Sequence, residues 1–347
     1  MPPLRVMPFV LVLLPMSGFA QVTGLAVCDL LRSAELSRTG REALASKQYP
    51  TAAHDLREAY KACPAQHGLL LELSRALSYQ REHQEAIRVA REYIQSEPRS
   101  AEGHVALASA LFMAQELTEA KQEAEEALTI EPEQPDAFKL RGNCEYLLGE
   151  TEKAQKTLAE LLARHPNDED AAYMLGRIYY QEGRIDHAIG QFQRVLKINP
   201  NSYKAYDNLG LCYEAKSEKE MAIRHFLTAI KMVETDHPEY DWPYANLANL
   251  LIDNGDAKQA FSAAVKAAQR NANSARNFYL AGKALWKLEQ YETSVKWLER
   301  STFLDPDYPE PLYLLARVYS QLGQKDKASE TIQRFRDVKS KTPRQRR

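Results

Sequence analysis

Four cysteines and eight histidines are the residues best suited to hold a metal or attack a substrate. Their spacing serves neither purpose. No C-x-x-C, H-E-x-x-H or calcium-loop pattern occurs. A catalytic set must converge, and the histidines are scattered along the chain. Three carboxylates gather in Asn167-Asp168-Glu169-Asp170. They stand just before an apolar-periodic run, where acidic side chains cap free amides and favour the helix dipole. A capping role fits that place better than a metal site. No Gly-rich phosphate loop and no G-x-S-x-G turn is present. The expectation is a chain that is no enzyme and carries no cofactor and no metal.

The elements that position everything else follow from a period. Proline falls at residues 64, 98, 132, 166 and 200, thirty-four residues apart each time. After a four-residue slip the column continues through Pro238, Ala272 and Pro306. A fixed period of this size means one structural unit copied along the chain. With the proline as position 32, nine units start at residues 33, 67, 101, 135, 169, 203, 241, 275 and 309. Position 8 is small in all nine: Gly40, Ser74, Ala108, Gly142, Gly176, Gly210, Ala248, Gly282 and Ala316. Position 20 is alanine throughout except for Ser294. Small residues in fixed columns let two helix backbones approach, and a larger side chain there overpacks the contact.

Glycine at position 15 in four units (Gly149, Gly183, Gly255, Gly323) accepts the left-handed conformation that ends a helix. It splits each unit into two helices of about a dozen residues, and proline then starts the next turn. Apolar residues recur at helical spacing between these marks, as in Tyr173, Leu175, Ile178 and Tyr179. No stretch alternates as a strand does.

These columns resemble the tetratricopeptide repeat, with its aromatic, Leu-Gly, Tyr, Ala, Phe and Pro positions. The best copy is Tyr206, Leu209, Gly210, Tyr213, Ala222, Phe226 and Ala229. The first unit lacks the aromatic at position 4, and the fourth carries Arg141 and Glu145 where Leu and Tyr are usual. The resemblance implies an all-α fold, an α-α superhelix or solenoid of about nine helix-turn-helix repeats spanning 33–340. Residues 21–32 then form a lead-in and 341–347 a basic tail.

The resemblance also implies that the first helix of each unit lines a concave wall. Its positions 2, 5, 9 and 12 supply Lys139, Asn143, Tyr146, Tyr173, Arg177, Tyr180, Lys204, Trp242, Tyr279, Lys283, Trp286, Tyr313 and Arg317 as candidate partner-binding residues. Asn208 and Asn246, both at position 6, are placed to bond the backbone of an extended peptide. Aromatic and arginine side chains are what interface hot spots are made of. Some family members clamp a terminal carboxylate with Lys, Asn, Asn, Lys and Arg; here the matching positions are Lys139, Asn143, Met174, Lys204 and Asn208. The lost Asn and Arg remove much of that fork. Glutamates 116, 119, 123, 125 and 126 fall on or beside the second helix of unit three, which should face outward. Positive charge inside and negative charge outside point to an extended ligand with acidic and apolar side chains.

The expected function is a non-catalytic protein-protein interaction scaffold holding an extended peptide or a protein partner in its groove. The alternative is a structural assembly factor associated with a cell envelope. The net charge of −2 gives no general attraction to nucleic acid. The last twelve residues carry six basic side chains and one acidic. That tail reads either as a solvated terminus or as a tether to phosphate or lipid, which leaves peripheral membrane association open.

At the other end, Arg5, the apolar run Val6 to Pro15 and the small residues before Gln21 describe a secretory signal peptide over 1–20. The run is too short to span a bilayer. The expected location is therefore secreted or periplasmic, with an uncleaved anchor or a lipid anchor at Cys28 as alternatives. Cys28 precedes the first helix of unit one and Cys63 closes its second. In an antiparallel pair those ends lie together. Outside the cytosol they can be bridged, or they stand as two separate thiols.

Overall fold

The computed structural model describes residues 28–341. The expected signal peptide and all but the first residue of the expected tail lie outside them. Among the described residues there are eighteen α-helices and no strand, which fits nine helix-turn-helix repeats. The chain divides into two compact units, one ending at Leu140 and one starting at Arg141.

The first unit holds α1 (Leu30–Ala45), α2 (Tyr49–Ala62), α3 (Gly68–Gln80), α4 (His83–Ser96), α5 (Ala101–Met113), α6 (Leu117–Ile130) and the start of α7 (Pro135–Leu147). Consecutive helices from α1 to α6 pack on one another. Leu56, Leu70, Leu77 and Leu111 are fully buried between them. Just before α1 the chain is tied to the end of α2. The Asp29 amide donates to the Ala62 carbonyl at 2.8 Å. Cys28 and Cys63 are joined by a disulfide, with 2.08 Å between the sulfurs.

The second unit continues α7 and adds α8 (Thr151–Arg164), α9 (Glu169–Gln181), α10 (Ile185–Ile198), α11 (Tyr203–Ala215), α12 (Lys219–Asp236), α13 (Trp242–Asn254), α14 (Ala257–Arg270), α15 (Ala275–Lys287), α16 (Tyr291–Leu304), α17 (Pro309–Gln321) and α18 (Lys325–Lys341). Each first helix from α9 to α15 touches the next first helix in the row, as well as its own partner. Phe192, Phe226, Leu158, Leu285 and Leu298 fill the space inside the pairs.

Position 15 shows how the turn is made. Gly149, Gly183, Gly255 and Gly323 have φ between 73° and 89°. Lys47, Arg81, Gln115, Ser217 and Glu289 occupy the same column and are left-handed too, with φ between 59° and 70°. The turn geometry is thus imposed nine times, and glycine only relieves its steric cost.

The small columns bring backbones close enough for a hydroxyl to cross the gap. Ser74 at position 8 donates to the Ala86 carbonyl at 3.0 Å, and Ser294 at position 20 donates to the Gly282 carbonyl at 2.8 Å. The two departures in unit four compensate each other. Glu145 is buried, accepts a hydrogen bond from Thr157 at 2.7 Å and lies 3.7 Å from Arg141. A polar trio stands where an apolar pair is usual. The slip lengthens α12 to 18 residues against 14 in α10 and α14. Its extra turn buries Val233 in a cluster with Tyr244, Leu247 and Leu251.

Candidate partner-binding face

The candidate residues sit on the first helices, and their caps set where those helices begin. Asp168 accepts from the Ala171 amide at 2.8 Å at the start of α9, and Ser274 accepts from the Asn277 amide at 3.4 Å at the start of α15. Glu169, next to Asp168, receives the Asn199 side-chain amide at 3.1 Å. The acidic cluster therefore works in caps and turn contacts.

On α7, Lys139 pairs with Asp136 at 2.8 Å, while Asn143 and Tyr146 are half-buried. On α9, Tyr173 turns inward against Phe192, ring centroids 5.8 Å apart, and its hydroxyl accepts from Asn208 at 3.1 Å. Burial raises the pKa of Tyr173 and that of Tyr180. Arg177 is exposed between them. On α11, Lys204 is exposed and lies 5.9 Å from the Tyr203 ring. Asn208 also donates to the Lys204 carbonyl at 2.8 Å, so its amide is already engaged.

Further along, Trp242 is 53% exposed with the Arg276 guanidinium over its ring at 5.3 Å. On α15, Tyr279 meets Tyr308 edge-on at 5.6 Å, and burial raises its pKa. Lys283 contacts Asp253 at 3.4 Å. Trp286 on α15 and Tyr313 on α17 flank Arg317, which lies 4.7 Å from the indole and 5.9 Å from the phenol ring. Tyr313 is 46% exposed.

Asn246 departs from its expected role. It is only 3% exposed, donates to Asp207 at 2.8 Å and accepts from Arg276 at 2.9 Å. Both ends of its amide face partners within the chain, so it is not offered to a peptide backbone. Glu123 also departs from a plain outward position, because it holds the His104 ring nitrogen Nδ1 at 2.7 Å. Glu125 and Glu126 are exposed, as expected for the second helix of that unit.

Asp207 is the residue that sequence reasoning undervalued. It is 3% exposed and joins three first helices through Asn246 and Arg276. The Tyr240 hydroxyl donates to its other oxygen at 3.4 Å. Desolvation pushes its pKa up to about 6 against the pull of those bonds and of Arg276. A nearby second buried acid, Asp241, takes the Asn277 amide at 2.5 Å. The signal was an acid at position 5, an amide at position 6 of the next unit and a cation at position 2 of the unit after.

Models of the tetratricopeptide repeat match residues 71–137, 111–173, 146–211, 203–234, 275–308 and 309–335. The chain carries tetratricopeptide repeats. No curated protein matches the sequence. Among solved structures, the tetratricopeptide-repeat chain superposes on the APC/C hetero-tetramer Cut9-Hcn1 with a TM-score of 0.63 at 16% identity, over 84% of this chain and 57% of that one. It thus spans little more than half the length of that chain. Pseudomonas aeruginosa pilF gives a TM-score of 0.53 at 19% identity, over 64% of this chain and 95% of that one. A tetratricopeptide repeat protein from Parabacteroides merdae gives 0.50 at 19% identity, over 83% and 99%. These identities speak for the fold alone.

Proposed function

We propose that this tetratricopeptide-repeat chain is a non-catalytic scaffold that holds a protein partner, as an extended segment, along its first helices. The observation that carries the reading is the side-chain content of that face in the second unit. Arg177, Lys204, Trp242, Tyr313 and Arg317 are exposed on the first helices α9, α11, α13 and α17. Aromatic and arginine side chains carry most of the energy of protein interfaces and are suited to be covered by a partner. The family likeness supports a protein-interaction role. No described helix is long and apolar enough to cross a membrane.

The signal-peptide pattern and the Cys28–Cys63 bridge both support export to an oxidising compartment. Terminal sequencing of the native protein should find the mature chain starting at Gln21. A native chain that retains Arg5 overturns the export reading.

Partner binding is tested by comparing Arg177→Ala with the outer-face change Glu125→Ala on a partner captured from envelope extract. A central anchor should cost about 2 kcal/mol, roughly thirtyfold in affinity, with helical content unchanged. Loss of binding in Glu125→Ala with none in Arg177→Ala assigns the partner to the wrong face.

A further inference from the structure

We propose that Arg317, held against Trp286 and Tyr313, is an anchor for the carboxylate side chain of an Asp or Glu in the bound segment. The proposal rests on the first-helix face being the partner site, and it names the chemistry that this part of the face selects.

Two neighbouring cations on this face have polar partners within the chain, while Lys287 shares the Trp286 indole with Arg317, its ammonium 5.4 Å from the ring. Lys283 contacts Asp253 at 3.4 Å, and Arg276 donates to Asn246 at 2.9 Å. Arg317 is exposed, and among the described residues its contacts are with the two aromatic rings, at 4.7 Å and 5.9 Å. No described carboxylate reaches it within ion-pair distance.

Contact with ring faces restrains a guanidinium without using up its in-plane N–H donors. Nor does it neutralise the charge, since a ring quadrupole is a weak partner compared with an anion. The flexible side chain is thereby pre-ordered, and that removes part of the entropy cost of fixing it on binding. A planar, pre-ordered fork beside two aromatic rings matches a carboxylate taken in two parallel hydrogen bonds. The half-buried indole and the exposed phenol then border the acidic group's aliphatic stem and its apolar neighbours. The anion is a side chain rather than a chain terminus. The positions that resemble a terminal-carboxylate clamp lie on α7, α9 and α11, where Met174 breaks the set, and Arg317 is on α17.

The experiment selects peptides of about twelve residues from a display library on the full chain, on Arg317→Gln and on Glu125→Gln. The peptides are displayed without a free carboxyl terminus, so every carboxylate they carry beyond the linker is a side chain. Asp or Glu beside an apolar residue should be enriched on the wild-type chain and on Glu125→Gln. The enrichment should vanish on Arg317→Gln, and a synthetic copy of the best acidic peptide should bind that variant about tenfold more weakly. Equal far-ultraviolet spectra of the three proteins show that the exposed change leaves the helices intact. Peptides enriched without acidic residues, or an acidic preference that survives Arg317→Gln, overturn the anchor and leave the scaffold reading in place. Failure to enrich any peptide overturns the reading of the face and the anchor with it.

Discussion

Gly176 lies against the ring of Phe192, so closely that a β-carbon on Gly176 would stand 2.8 Å from the ring edge. The same crowding joins Gly40 to Leu56, Gly282 to Leu298 and Gly210 to Phe226. Position 8 and position 24 of a unit therefore share one volume. In two of the three units where position 8 is alanine, at Ala108 and Ala248, position 24 shrinks to Ala124 and Ala264, whereas the unit with Ala316 keeps Ile332. Gly176→Ala should destabilise by about 1–3 kcal/mol through overpacking, despite the better helix propensity of alanine. Combined with Phe192→Ala it should lose less than the sum of the two single changes, because the added methyl enters the space the ring leaves. Urea unfolding of the four proteins measures both effects.

The left-handed column predicts changes of opposite sign at equivalent positions. Glu289 holds φ 59° where Gly183 holds 73°. Glu289→Gly should stabilise by up to about 1 kcal/mol, since a side chain pays more than glycine's extra entropy in that region. Gly183→Ala should destabilise by about 1 kcal/mol. The shift in urea midpoint at constant slope distinguishes the two.

The repeat period made the helical fold legible because each column is a local demand made nine times. Glycine announced the left-handed turn in four units, and only the register extends it to Lys47 or Glu289. Exposure on the first helices was legible only in part: Arg177, Trp242 and Tyr313 are exposed, while Tyr173, Tyr180 and Tyr279 are half-buried. The fate of Asn246 was not. Its two partners, Asp207 and Arg276, belong to other units, and no local pattern reports a bond spanning about thirty to forty residues. Arg141 and Glu145 looked like a weak unit for a related reason: Thr157, which satisfies Glu145, lies on the facing helix.

The Cys28–Cys63 bridge closes a span of 35 residues around α1 and α2. In the chain-entropy picture this stabilises by roughly 4 kcal/mol. Among the described residues, α1 and α2 pack beyond each other on α3 alone, so the bridge supports a pair with few other neighbours. Cys63→Ser should raise amide exchange in α1 and α2 by several orders of magnitude while α15 to α17 keep their protection. Thiol labelling of the unfolded, unreduced chain should count two reactive thiols out of four cysteines. Four reactive thiols would remove the bridge and its support for an oxidising compartment.

The buried Asp207 makes a prediction about pH whose sign runs against the usual behaviour of carboxylates. Its pKa is raised from 3.8 to about 6, with desolvation the largest cause and the bonds from Asn246 and Tyr240 and the charge of Arg276 opposing it. The neighbouring charge of Asp241 adds to the rise. Between those two values the folded chain holds a proton that the unfolded chain has released. Stability from this group is then present in full below about pH 4 and is lost as pH rises to about 6. The difference amounts to about 3 kcal/mol if the group titrates alone. Asp207→Asn keeps an acceptor for the Asn246 amide and cannot ionise, so it should flatten this part of the profile. Urea midpoints for both proteins at about pH 4.5 and 7.5 make the comparison, and the gain of Asp207→Asn over the wild type should be larger at the higher pH. An equal gain at both would mean that Arg276 holds Asp207 ionised throughout.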